Sequence, residues 1–210
     1  MGLTRRFFEP SFSFDDCSPD IVILSFIGDD VNRTEFSYYP YGRRSKPYFE
    51  LTNGSLVLRN VPVPQTQPRR RFQGLRRFLG YSFLANAVFS RTAERWWQDL
   101  PTARIHDNGD DVSVALMVRL DSLAKQRGAQ FVAVAMATNA VIGGDARLPN
   151  VVKLARAKGI QVLDLSTEPL PGQAQRLFRS GGHYSPVMNI WIGDHIAEFL
   201  DQEGMAKRRN

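Results

Sequence analysis

Phe131-Val-Ala-Val-Ala-Met136 is a short apolar run that carries no charge, and Gly128 stands just before it. A run of this kind suits a strand buried on both faces, as the interior of a parallel sheet requires. Before it, residues 110–127 repeat apolar side chains at helical spacing. Val114, Leu116, Met117, Leu120, Leu123 and Ala124 share one side, and Gly128 stops the pattern. After it, residues 149–158 read as a helix stopped by Gly159, and Ile160-Gln-Val-Leu-Asp-Leu165 reads as another strand. Residues 186–200 read as a terminal helix, with Ser185 as its cap and Pro186 in its first turn. Upstream, Ile21-Val-Ile-Leu-Ser-Phe26 is a third apolar run, also read as a strand buried on both faces. Gly28-Asp29-Asp30 reads as a turn at its carboxyl end, the edge where open α/β sheets bind ligands.

This alternation predicts an α/β chain with a three-layer α/β/α architecture of the flavodoxin-like kind and a parallel sheet. Only three central strands can be counted, where about five are usual, and the shortage falls at the amino end. The sheet is therefore expected to have an open apolar edge. That edge should pair with a second copy or a companion chain, be covered by residues 2–14, or leave the chain poorly stable alone. The length of 210 residues fits one domain, assigned to 1–205, with a disordered basic tail at 206–210. Residues 32–68 read as an inserted segment. Within it, Asn53-Gly54 between Tyr48-Phe-Glu-Leu51 and Ser55-Leu-Val-Leu58 is a hairpin signal.

The net charge of +6 favours an anionic partner or simply a basic surface. Its most concentrated source is Pro68-Arg-Arg-Arg-Phe-Gln-Gly-Leu-Arg-Arg-Phe78. Phe72, Leu75, Phe78 and Leu79 have helical spacing, and one helix is expected to run on through Ala85 and Phe89 towards Trp96 and Trp97. Such a helix could bind a membrane surface or an anionic polymer through Arg69, Arg70, Arg71, Arg76 and Arg77. The commoner use is to pack the apolar stripe on the domain and leave the arginines solvated. No specific nucleic-acid motif is present, and Ile142-Gly-Gly-Asp145 lacks the pattern of a phosphate loop. The single cysteine, Cys17, excludes an internal disulfide framework, and no His/Cys/Asp cluster has metal-ligand spacing, so neither metal nor cofactor is expected. No transmembrane run is present. The first residues lack the apolar core of a signal peptide, which reads as a cytoplasmic chain.

Of three histidines, His195 falls inside the terminal helix pattern and His106 in the polar loop Ile105-His-Asp-Asn-Gly109. His183 lies in Ser180-Gly-Gly-His-Tyr-Ser-Pro186, directly before the last helix. That address is expected to bring its imidazole to the carboxyl edge of the sheet, facing Gly28-Asp29-Asp30.

These loops carry a resemblance. Pro19-Asp-Ile-Val-Ile-Leu-Ser-Phe-Ile-Gly-Asp-Asp30, Lys46-Pro-Tyr-Phe-Glu-Leu51 with Leu58-Arg-Asn-Val-Pro-Val-Pro64, Gly159-Ile-Gln-Val-Leu-Asp-Leu165 and Gly181-Gly-His-Tyr-Ser-Pro186 together resemble the SGNH (GDSL-type) hydrolases. The branch is the one related to acetylated-polysaccharide esterases. The resemblance implies hydrolysis of a small ester or an acylated carbohydrate by a Ser-His-Asp arrangement with oxyanion donors. His183 matches the catalytic base. The family's asparagine falls on Asp29, which cannot donate a hydrogen bond while ionised, and Asp30 matches the aspartate after it. The triad aspartate, two or three residues before the histidine, falls on Gly181 or Ser180. Nothing before Asp20 matches the family's Gly-Asp-Ser nucleophile turn, and Ser11, Ser13, Ser18 and Ser25 lie in no such turn. The chain thus reads as an amino-terminally incomplete or degenerate member, a pseudoenzyme with His183 as its one intact catalytic group. The alternatives are an active esterase with an unrecognised nucleophile and a non-enzymatic binding protein that uses the Arg-rich helix.

Overall fold

The computed structural model describes residues 18–37, 45–63, 73–93, 105–136, 138, 147–172, 174–179 and 182–205. Residues 2–14, Arg69 to Arg71, residues 142–145 and the tail at 206–210 lie outside these. The chain divides into two compact units, 1–31 with 110–210, and 32–109. The segment read as an insertion, 32–68, belongs wholly to the second.

In the first unit, strands β1 (Ile21–Phe26), β4 (Gln130–Ala135) and β5 (Gln161–Asp164) form a parallel sheet in the order β1-β4-β5. The register pairs Phe26 with Ala135 and Ala135 with Asp164, so the three strands end in one row. Helices α4 (Gly109–Lys125) and α5 (Leu148–Ala157) precede β4 and β5. Both stop in the same way. After α4, Gly128 takes φ +74°, its N–H donates to the Lys125 carbonyl and that of Ala129 to the Ala124 carbonyl. After α5, Gly159 takes φ +77°, and Ile160 donates back to Ala155. Glycine holds this left-handed position without steric cost, and the paired bonds satisfy the last carbonyls of each helix.

Alternation along β4 builds the three layers. Phe131, Ala133 and Ala135 pack with Val114, Met117, Leu120 and Ala124 of α4 and with Val151, Val152 and Ala155 of α5. Val132 and Val134 point the other way, into a cluster with Leu165, Leu177, Met188 and Ile192. That second layer comprises α6 (Ala174–Leu177) and α7 (Pro186–Gln202). Ser185 caps α7 as the sequence predicts: its Oγ accepts from the Met188 N–H at 3.3 Å, and Pro186 opens the first turn.

Three expectations change. β1 is an edge strand and is not buried on both faces. Val22, Leu24 and Phe26 pack into the α4–α5 layer, whereas Ile23 is 41% exposed and Ser25 is exposed. The run Gly28-Asp29-Asp30 begins a helix, α1 (Gly28–Thr34), and is not a plain turn. The Asp30 carboxylate accepts the Ile27 N–H at 3.1 Å, and two acidic residues lie where the first turn exposes its N–H groups. The single long helix expected from Phe72 is two helices, α2 (Gln73–Leu79) and α3 (Phe83–Thr92). Between them Ser82 takes an extended conformation, and its Oγ accepts from the Ala85 N–H at 3.3 Å. A serine that caps a new helix in this way competes with continuation of the old one.

The second unit also contains the expected hairpin, β2 (Tyr48–Thr52) and β3 (Ser55–Arg59). Asn53 and Gly54 take φ +50° and +77°, the left-handed pair that a two-residue hairpin turn needs. Glu35 is fully buried here. Its Oε1 accepts the Gly109 N–H at 3.1 Å, and its carbonyl accepts the Ile105 N–H at 2.8 Å. The Asn60 amide donates to the carbonyls of Lys46 and Ser37, tying the hairpin to the chain before it.

Candidate functional site

His183 sits in a loop that closes on itself. Its carbonyl accepts the Arg179 N–H at 2.7 Å, the Ser185 N–H donates to the Leu177 carbonyl at 2.8 Å, and Phe178 bridges Tyr184 in antiparallel fashion. Gly182 supplies the turn with φ +80°. The loop backbone is therefore pinned on both sides of His183 while the imidazole is exposed. No described residue hydrogen-bonds to its ring.

The neighbouring side chain, Tyr184, escaped the sequence reading. It is half-buried against Phe178, with ring centroids 5.6 Å apart. Burial, and then the negative charge of Asp30, push its hydroxyl up to about 12, so it stays a protonated donor across the neutral range. The coupling to Asp30 also gives the address of the loop: residue 184 lies within electrostatic reach of the carboxyl end of β1. The sequence offered one clue, an aromatic residue directly before a capped helix.

Asp29 is half-buried and Gly28 is buried at the start of α1, while Asp30 engages the Ile27 backbone. At the end of β5, Asp164 accepts from the Ser166 N–H at 3.0 Å and its Oγ at 2.6 Å. An aspartate ending an apolar strand with a serine two residues on is a legible signature of such a turn. This serine is committed to Asp164. Ser185 is buried and committed to its cap. Chemically, the loop before α7 presents an exposed imidazole and a tyrosine hydroxyl that feels the charge of Asp30. It lacks, among the described residues, a serine hydroxyl held by the imidazole, which general-base activation requires.

His195 is structural: its Nδ1 lies 2.9 Å from the Trp191 carbonyl, and the two rings approach to 4.3 Å. Both ring nitrogens of His106 are buried without a hydrogen-bond partner among the described residues. Arg76 and Arg77 fall on α2. Among the described residues no group of three or more potential ligands could hold a metal ion. No described helix is long and apolar enough to cross a membrane. Comparison with protein-family models, with curated proteins and with solved structures finds no match to this chain.

Proposed function

We propose that this chain is an SGNH-like ester-hydrolase domain that keeps the histidine side of the site and has little or no turnover of its own. The observation that supports this reading is the pairing of address and isolation at His183. Its neighbour Tyr184 feels the negative charge of Asp30, just past the first strand, yet no described serine or carboxylate engages the His183 ring. A serine without a base is a poor nucleophile, and a base without a serine leaves only solvent-like imidazole chemistry. The ligand class is a small ester or an acylated carbohydrate, and the chemistry requires no cofactor.

Hydrolysis of an aryl acetate by the purified chain, run beside His183→Ala and beside free imidazole at the same concentration, tests the reading. Wild type is expected to exceed neither the variant nor imidazole by more than about threefold, a barrier difference of roughly 0.7 kcal/mol. Saturable turnover that His183→Ala abolishes would overturn it in favour of an active esterase with another nucleophile.

The same reading includes a second copy or a companion chain at the outer edge of β1. There no described strand pairs with it and Ile23 is exposed. A sedimentation-velocity run showing only monomer at all concentrations would remove the second copy.

A further inference from the structure

The α2–α3 segment presents its apolar side chains to water. Phe78 is 75% exposed, Tyr81 85%, Phe83 93% and Leu84 75%. Leu75 and Val88 are exposed as well. Helix α3 has no buried residue at all. Its half-buried side carries Ala85, Phe89 and Ser90, and its outward side carries Leu84, Ala87, Val88 and Arg91, which recur at helical spacing. A helix packed in the ordinary way turns such a row inward and leaves polar residues outside. Among the described residues of the segment, Leu79, Ala85 and Phe89 are half-buried, whereas Leu75 and Phe78 face water.

Charge indicates what covers this face. From Leu51 to Ala93 the sequence contains no aspartate or glutamate, yet Arg69, Arg70, Arg71, Arg76, Arg77 and Arg91 fall within it, besides Arg59, which is paired with Glu50. An exposed row of aromatic and aliphatic side chains, in a stretch of sequence that carries arginines and no carboxylate, is complementary to an anionic bilayer surface. Phenyl and phenol rings partition at the headgroup–acyl boundary, and each cation near it is drawn to the surface potential. The junction of the two helices, Tyr81 to Leu84, carries three of the most exposed large hydrophobic side chains among the described residues.

We propose that the α2–α3 segment is a docking surface for anionic lipid membranes, with Phe78, Tyr81, Phe83 and Leu84 entering the interface and Arg76, Arg77 and Arg91 of the two helices drawn to the headgroups. The proposal stands independently of any esterase chemistry at His183.

Co-sedimentation of the full chain with phospholipid vesicles tests it. The chain should pellet with phosphatidylcholine vesicles containing about 30 mol% phosphatidylglycerol and stay in solution with phosphatidylcholine alone. Binding should fall at least about tenfold in Phe83→Ser/Leu84→Ser, whose side chains are exposed and whose loss leaves the circular dichroism spectrum unchanged. Arg76→Glu/Arg77→Glu, or salt near ~0.5 M, should weaken it similarly. Ile190→Ser removes an exposed apolar side chain from α7 in the other unit and should leave binding intact. Equal binding to both vesicle types, no binding to either, or full binding by Phe83→Ser/Leu84→Ser would overturn the proposal. So would a preference for single-stranded RNA that the Phe83/Leu84 variant retains, which would assign the arginines to a nucleic acid.

Discussion

Strand β4 and helix α3 are both short apolar segments, and they treat water in opposite ways. Every residue of β4 after Gln130 is buried, whereas α3 has none buried. Composition does not separate them; neighbours do. β4 has a strand on each side and a helical layer on each face, so both of its side-chain sets find partners. β1, in the same sheet, has a strand on one side only among the described residues, and its exposure rises accordingly at Ile23 and Ser25. Apolar character states what a segment can bury. The number of covered faces settles what it does bury.

The largest effect expected from this contrast is on stability. Leu165 is fully buried in the α6–α7 layer, and Leu165→Ala should cost about 2–5 kcal/mol, because the lost contacts leave a cavity. Leu84→Ala removes the same atoms from a side chain in water and should stay within about 0.5 kcal/mol. Hydrogen exchange of the β4 amides and urea midpoints would measure both. Similar costs would break the contrast at its root. Next comes Glu35, whose carboxylate accepts the Gly109 N–H within the second unit. Glu35→Ala removes that acceptor from a buried N–H and should cost about 1–3 kcal/mol, while Glu35→Gln keeps an acceptor and should cost less. Faster exchange at the Gly109 amide in the alanine variant alone would identify the lost bond as the cause. The strand-to-strand comparison is smaller. Val132→Ala is expected to cost about 2 kcal/mol and Ile23→Ala under about 1 kcal/mol, although isoleucine loses more atoms. The reverse order in solution would mean that the edge of β1 is covered, and self-association would be the first property to measure.

The elements with local signals were readable in advance. Gly128 and Gly159 ended helices, Asn53-Gly54 turned a hairpin, and Ser185-Pro186 opened α7, because each rests on backbone geometry within a few residues. The three-layer sheet followed from the alternation of such elements. What the sequence hid was set at long range. The edge status of β1 depends on which strand pairs with which, and an apolar run of six looks the same in either position. The break at Ser82 was missed because helical spacing continued across it, and the capping hydroxyl outweighed that periodicity. At the candidate site, His183 stood out through its glycine-rich loop. Tyr184 did not, since its raised ionisation depends on Phe178, on burial and on a carboxylate that precedes it by most of the chain.

The smallest expected effects are also the ones in which the two units should part in sign. Lys46, in the second unit, donates to the Arg33 carbonyl at 2.9 Å, and burial followed by the charge of Arg33 holds its ammonium down to about 8. Its ordinary value is about 10.4, so between pH 8 and 10.4 the unfolded chain binds more proton than the folded one, and stability there rises with pH. Tyr184, in the first unit, is pushed the other way, up to about 12. Its contribution is complete below the unfolded value near 10 and is lost as pH climbs from 10 through 12. Each change should amount to about 1 kcal/mol, less than the shifts alone would give, because water reaches both side chains. Urea midpoints followed from pH 7 to 12 should therefore rise and then fall. Lys46→Met should flatten the rise and Tyr184→Phe the fall, with difference absorbance near 295 nm following the phenolate directly. If the Tyr184→Phe profile ran parallel to wild type above pH 10, the hydroxyl would be no better shielded than one in water.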